Sequence, residues 1–153
     1  MRFLGALLLL VSLGAHAASI AYFYDGDTVK IDDNGQTFKL RITDIDAPER
    51  NQSYGLKSRR ALMKLCNSAS ISYQVTGLDK YQRRLGKLQC NQQDASLYMV
   101  QNGHAWFADH YSADHTLLLA QQQAQQTRLG LWKSHTPTPP WKWRKNHPHA
   151  MLK

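Results

Sequence analysis

Cysteine is scarce in this chain: Cys66 and Cys90 are the only two in 153 residues. No C-x-x-C spacing occurs, which excludes a zinc ribbon and a thioredoxin-type redox centre. The seven histidines form neither H-x-x-x-H nor H-E-x-x-H, so a zinc-protease helix is excluded as well. No apolar run reaches the roughly 20 residues that a membrane-spanning helix needs. Nothing repeats internally. Carboxylates are in short supply, 11 Asp and Glu against 19 Lys and Arg, for a formal charge of +8. Such a surplus suits an anionic partner (nucleic acid, acidic polysaccharide or a membrane surface) without choosing among them. The apolar fraction of 42 % is that of a globular chain. The length suffices for one domain with one core.

The chain opens with Arg2, an apolar run from Phe3 to Leu13 and the small-x-small site Ala15-His16-Ala17. That order is the signature of a secretory signal peptide, residues 1–17, cut after Ala17. The run is too short to anchor in a membrane. The mature chain is therefore expected in a periplasm or outside the cell, with no membrane contact after cleavage. In an oxidising compartment, a Cys66–Cys90 disulfide is favoured over a pair of buried thiols.

Val29 and Ile31 then alternate with Lys30 and Asp32, Asn34-Gly35 is a hairpin dipeptide, and Phe38, Leu40 and Ile42 alternate with Lys39, Arg41 and Thr43. Arg41 is thus displayed on the face away from the core. A helix is predicted from about Tyr54 to Asn67, with Leu62, Leu65 and Cys66 at i, i+3, i+4. Two strands follow, one carrying Ile71, Tyr73 and Val75 and the other running from Leu85 to Cys90. A second helix follows, capped by Asp94 and stopped by Gly103. A third is expected to end at Gly130, its glutamine run (121–126) forming a solvated face. The tail 134–153 is basic, with Trp141 and Trp143 expected to dock on the barrel. Pro137, Pro139 and Pro140 rule out a helix there, leaving an extended, partly ordered arm. Five short strands interrupted by one helix fit an α+β, mainly β fold: a five-stranded OB barrel with three helices.

Against the shortage of acids, D-I-D-A-P-E-R (44–50) concentrates Asp44, Asp46 and Glu49 in seven residues. Read alone it can be a helix start, Asp46 capping and Glu49 completing a capping box. D-G-D-T (25–28) alone can be a turn. An EF-hand reading of D-G-D-T-V-K-I-D-D-N-G fails, because Val29 would stand at the fifth loop position and the required glycine is misplaced. D-K-Y-Q-R-R (79–84) alone is weak.

Taken in this order on this strand pattern, D-G-D-T, Arg41 with D-A-P-E, and D-K-Y-Q-R resemble the thermonuclease (staphylococcal nuclease-like) family. The segments M-V-Q-N-G-H-A-W and L-G-L-W extend the likeness from about Tyr24 to Trp132. The resemblance implies an OB-barrel domain over 18–133 that hydrolyses DNA and RNA, without sequence preference, to products with 3′-phosphate ends. It implies Ca²⁺ held by Asp27, Asp46 and the backbone carbonyl of Ala47. Asp44 has no implied metal role and is read as a solvated charge or a local acceptor. Glu49 is implied as general base, and Arg41 and Arg83 as the phosphate clamp, with Arg83 on the leaving-group side. Lys80, Tyr81 and Tyr111 would bind substrate, and the chain is expected to act as a monomer. Oxygen ligands suit a hard cation, and the guanidinium fork suits phosphate. Gln82 departs from the family's glycine, Asp109 from its tyrosine and Ala47 from its threonine, and the segment after Glu49 is short. Two rivals remain: a non-catalytic OB-fold nucleic-acid binder, and a basic envelope protein that recruits another polyanion.

Overall fold

The structure, a computed structural model, describes residues 17–148; residues 1–16, nearly all of the expected signal peptide, lie outside that range. Three antiparallel strands open the fold: β1 (Ser19–Phe23), β2 (Thr28–Asp33) and β3 (Gln36–Ile42). Asn34 and Gly35 both take positive φ, 53° and 82°. These are the dihedrals a two-residue hairpin between right-twisted strands requires. The short β4 (Ile45–Asp46) leads into α1 (Gly55–Cys66). Then follow β5 (Ile71–Leu78), β6 (Arg84–Cys90), β7 (Gln93–Asp94), α2 (Ala95–Gln101), β8 (Trp106–Phe107) and α3 (His115–Gln126).

The main sheet runs β1-β2-β3-β6-β5, with β7 off its path on β6. β3 pairs with β6 in parallel, Arg41 opposite Leu85, and every other long pairing is antiparallel. The order of the five long strands is that of the expected Greek-key OB barrel. β4 and β8 form a separate two-stranded ladder that pairs Ile45 with Phe107 and Asp46 with Trp106. Strands of two residues carry no readable periodicity, which is why β4, β7 and β8 were not expected.

The main core cluster lies inside the sheet, and a smaller one gathers Ala124, Leu131 and Trp132. Val29, Ile31, Leu40 and Ile42 meet Leu62 of α1, Leu88 of β6 and Met99 and Val100 of α2, all with essentially no exposure. The predicted alternation on β3 holds, with Leu40 and Ile42 inside and Arg41 on the other face. Asp94 caps α2 by accepting from the Leu97 N–H at 2.9 Å. The Cys66–Cys90 disulfide is formed and ties the end of α1 to the end of β6.

Two expectations need correction. α3 stops at Gln126, not Gly130, because Arg128 turns into the left-handed region (φ 52°). The tail is not an extended arm throughout: Pro140–Asn146 is a fourth helix, α4. Pro140 stands at its first position, where the missing N–H has no intrahelical partner and the fixed φ suits the helix. Proline opens this helix rather than breaking it. Among the described residues no helix is long and apolar enough to cross a membrane.

Candidate functional site

Asp27 sits in the bend between β1 and β2. Its own N–H bonds the Asp25 carboxylate at 3.0 Å, closing a local turn. Gly26 packs so closely on α1 that a Cβ there would lie 1.9 Å from Ser58 Oγ and 2.9 Å from the Ala47 Cβ. Only glycine lets the bend approach. The Asp27 carbonyl accepts from the Ile42 N–H at 2.8 Å, and its Oδ2 accepts from the Ala47 N–H at 2.6 Å. One residue thereby fastens β2, β3 and the D-A-P-E segment together.

Arg41 crosses this junction. Its Nε pairs with Asp27 at 3.1 Å and its Nη2 with Asp46 at 3.1 Å. Nη1 donates to the carbonyls of Ile42 and, at 2.9 Å, Ile45. Of its five N–H groups, one on Nη2 has no partner among the described residues. In this pose Arg41 aligns the acids and has a single donor to offer a ligand.

Asp46 ends β4, buried opposite Trp106. Pro48 and the turn Glu49–Gln52, closed by Gln52 N–H on the Glu49 carbonyl at 2.8 Å, then bring Glu49 beside it. α1 begins only at Gly55, so neither Asp46 nor Glu49 is spent as a helix cap. Asp44, with φ 67°, faces the other way: it pairs with Lys87 and accepts from Thr43. It is the local hydrogen-bond acceptor of the two readings, and it stands outside the site.

Charge is crowded here. Burial, then the neighbouring Asp27 charge, raises the Asp25 carboxyl well above its ordinary value. Burial also raises Asp46, against the hydrogen bonds it accepts from Arg144. For Arg41 burial works against the charged form, but Asp27, Asp46 and Asp25 outweigh it and raise its pKa.

Arg144 of α4 was not anticipated. Its guanidinium forks onto Asp46, Nη1 to Oδ1 at 3.0 Å and Nη2 to Oδ2 at 2.7 Å, and Nη1 also reaches Glu49 Oε1 at 2.9 Å. Gln52 was missed as well. Buried in the fold, it accepts from the Glu49 N–H at 3.1 Å and donates to the Thr138 carbonyl at 2.7 Å, joining the Glu49 turn to the tail. A readable signal existed in P-P-W-K-W-R: Trp141 and Arg144 lie at i, i+3, one helix face.

Asp27, Arg41, Asp46, Ala47 and Glu49 are therefore brought together. Lys80, Tyr81 and Arg83 form a second group at the β5–β6 turn. Asp79 organises it, accepting from the Tyr81 N–H at 2.8 Å, the Arg83 N–H at 3.0 Å and Arg83 Nε at 2.6 Å. Among the described residues no hydrogen bond or ion pair joins this group to the acids. Gln82 takes φ 61°, so the glycine-like turn survives its side chain. Tyr111 is 91 % exposed just beyond β8, and Asp109 is exposed beside His110. Trp141 docks edge-on against Trp106, centroids 5.4 Å apart, while Trp143 stacks on His147. A cleft of about 410 Å³ opens beside Pro48, Tyr54, Lys57 and Trp106, and none of the acids lines it.

Among the described residues no three His, Cys, Asp or Glu converge as a metal cluster. The donors on hand are oxygens only: two buried carboxylates, the nearby Glu49 and backbone carbonyls. That set suits a hard divalent cation with an incomplete protein shell. Arg144 seated on Asp46 shows that the position accepts positive charge.

Residues 39–134 match the family model described as staphylococcal nuclease homologue. An uncharacterized endonuclease of Haemophilus influenzae is 38 % identical over 79 % of this chain and 68 % of its own length. A protein named micrococcal nuclease from Shigella flexneri is 32 % identical over 95 % of this chain and 91 % of its own. A probable staphylococcal-like nuclease of rice is 35 % identical over 74 % of this chain and 30 % of its own.

Proposed function

The chain belongs to the staphylococcal nuclease family, and on that premise we propose that it is an exported, calcium-dependent endonuclease that hydrolyses DNA and RNA to products with 3′-phosphate ends. The observation that carries this reading is the junction of Asp27, Arg41 and Asp46, with Glu49 beside it. Glu49 stands beside this junction, part-exposed, and oxygen donors gathered with an arginine at one place suit phosphodiester chemistry better than plain binding.

Asp27, Asp46 and the Ala47 carbonyl are the groups that would hold Ca²⁺, which when bound supplies charge neutralisation and polarisation of the scissile phosphate. Glu49, 27 % exposed, can reach solvent and takes a proton from the attacking water. The uncommitted N–H of Arg41 meets a phosphate oxygen as negative charge develops there. The P–O5′ bond breaks, the water oxygen stays on phosphorus in the new 3′-phosphate, the departing 5′-oxygen takes a proton from solvent and Glu49 gives its proton back to solvent. Arg83 assists on that side once its guanidinium leaves Asp79. Lys80, Tyr81 and Tyr111 line the path of the polymer. The exposed rings of Tyr81 and Tyr111 suit sequence-tolerant stacking. Residues 1–17 are a signal peptide, and the mature protein acts as a monomer in a periplasm or outside the cell.

Incubating residues 18–153 with plasmid DNA and with RNA, in Ca²⁺ and in EGTA, tests the reading. Cutting in Ca²⁺, 3′-phosphate ends, no cutting in EGTA and a loss on the order of 10³-fold in Glu49→Gln are expected. DNA retarded on a gel but never cut under any divalent ion would make the domain a binding module.

A further inference from the structure

Arg144 belongs neither to the strand scaffold nor to residues 39–134, the segment the family model matches. It nevertheless occupies both oxygens of Asp46 and one of Glu49. We propose that Arg144 is a tethered cation that competes with the divalent metal for Asp46 and Glu49, and so sets the metal concentration at which the nuclease becomes competent. This rests on the metal-dependent reading above.

Three features support it. The first is lone-pair accounting. Asp46 Oδ1 already accepts from Arg41 and from Arg144, and Oδ2 accepts from Arg144. Of the roughly four lone-pair sites of a carboxylate, three are taken. A metal ion bound to Asp46 would share them with two guanidinium groups at contact distance. Like charges so placed repel, and Arg144 is the one that can leave: Arg41 is fixed by two backbone carbonyls, whereas among the described residues the Arg144 guanidinium bonds the two acids alone.

The second is delivery. Asp46 stands opposite Trp106 in the β4–β8 ladder. Trp141 of α4 packs on that same Trp106, and Arg144 follows at i+3 on the same helix face. The aromatic contact therefore aims the guanidinium at the carboxylate. The third is the tether. Pro140 is wholly buried, and Gln52 holds the Thr138 carbonyl while bracing the Glu49 N–H. α4 keeps these holds when the ion pair opens, so a released Arg144 stays close and the competition is intramolecular and reversible.

Calcium binding to the metal-free protein, measured by calorimetry without nucleic acid, tests the proposal. Arg144→Gln is expected to bind Ca²⁺ about tenfold or more tightly than the parent chain, in the usual range for coupled ligands. Arg144→Lys, charged but without the fork, should fall between them. Trp141→Ala, which loosens the aim of α4, should also tighten binding. The rise in melting temperature on adding Ca²⁺ should be larger for Arg144→Gln than for the parent, an independent check if that variant is less stable without metal. Unchanged or weaker Ca²⁺ binding in Arg144→Gln, with binding abolished in Asp46→Asn, would overturn the competition and leave the metal site standing. The same calcium result with weaker binding of a single-stranded oligonucleotide would make Arg144 a substrate ligand instead. No Ca²⁺ binding by any of the proteins would overturn the metal reading and this inference with it.

Discussion

Arg41 and Arg83 are counterparts by resemblance, yet their surroundings differ. Arg41 lies on a central strand of the sheet, 16 % exposed, gripped by Asp27, Asp46 and two backbone carbonyls. Arg83 lies in a turn, 31 % exposed, and its side chain pairs with Asp79 four residues earlier. The first half of the site is assembled from β2, β3, β4 and the turn before α1, each tied to another through Asp27. The second half is assembled within five consecutive residues. A site built across strands is held by the whole core, while one built within a turn is held by the turn alone. The acids and Arg41 are thus preorganised, whereas in the proposed mechanism Arg83 would have to trade one carboxylate for a phosphate.

The comparison can be broken at its strong half first. Replacing Cys66 and Cys90 by serine cuts the tie between α1 and β6. The loop it closes spans 24 residues, for which the chain-entropy relation gives a loss of about 3 kcal/mol. Urea unfolding of the double variant against the parent measures it. An equal loss of stability and of specific activity in the folded fraction would show that the acids depend on this tie as well as on the core. Arg83→Ala probes the weak half. Cleavage should fall on the order of 10²-fold, the usual worth of one transition-state donor, while stability changes by less than about 1 kcal/mol because the Asp79 pair is partly exposed. Steady-state cleavage with a parallel melt separates the two. A large stability loss there would contradict the autonomy of the turn.

Gln82→Gly sharpens the same point. A non-glycine residue at φ 61° costs roughly 1–2 kcal/mol, of which glycine returns part through its freer unfolded chain, so a net gain of about 0.5 kcal/mol is expected in the denaturant midpoint. The smallest effect lies beneath the strong half, where His104 shares a hydrogen bond with Tyr54 at 3.0 Å. Burial, and secondarily the charge of Lys64, lowers its pKa from the ordinary 6.5. The folded protein then takes up that proton less readily than the unfolded chain. The contribution is full above pH 6.5 and is lost as pH falls through the folded value. Melting temperatures above and below pH ~6.5 should show a drop on the acid side that His104→Asn reduces.

Much of this was legible beforehand. Asn34-Gly35 marked the first hairpin because only a few residues tolerate two left-handed positions in a row. Leu40 and Ile42 against Arg41 followed from the period of a strand. Asp94 marked the start of α2 because its carboxylate can reach an N–H three residues on. The acids Asp27, Asp46 and Glu49 were legible through their order along the chain. Arg144 was not. Its helix starts at a proline in a run of prolines, and the rule that proline ends helices obscured the rule that it begins them. Gln52 has no signal in sequence, since a buried glutamine that braces two backbones looks like any loop residue.

The sequence by itself determined the local geometry and the cast of the site: strand faces, turns, one helix cap and four of the residues that meet around Asp46. Backbone sterics and side-chain period act over a few residues, so they are written in order along the chain. The tertiary structure alone decided which charges would face each other. Asp27 meets the Ala47 N–H across 20 positions and Arg144 meets Asp46 across 98. Such pairings depend on what the closed core leaves side by side, and in a buried setting a carboxylate must take whichever cation the fold delivers to it.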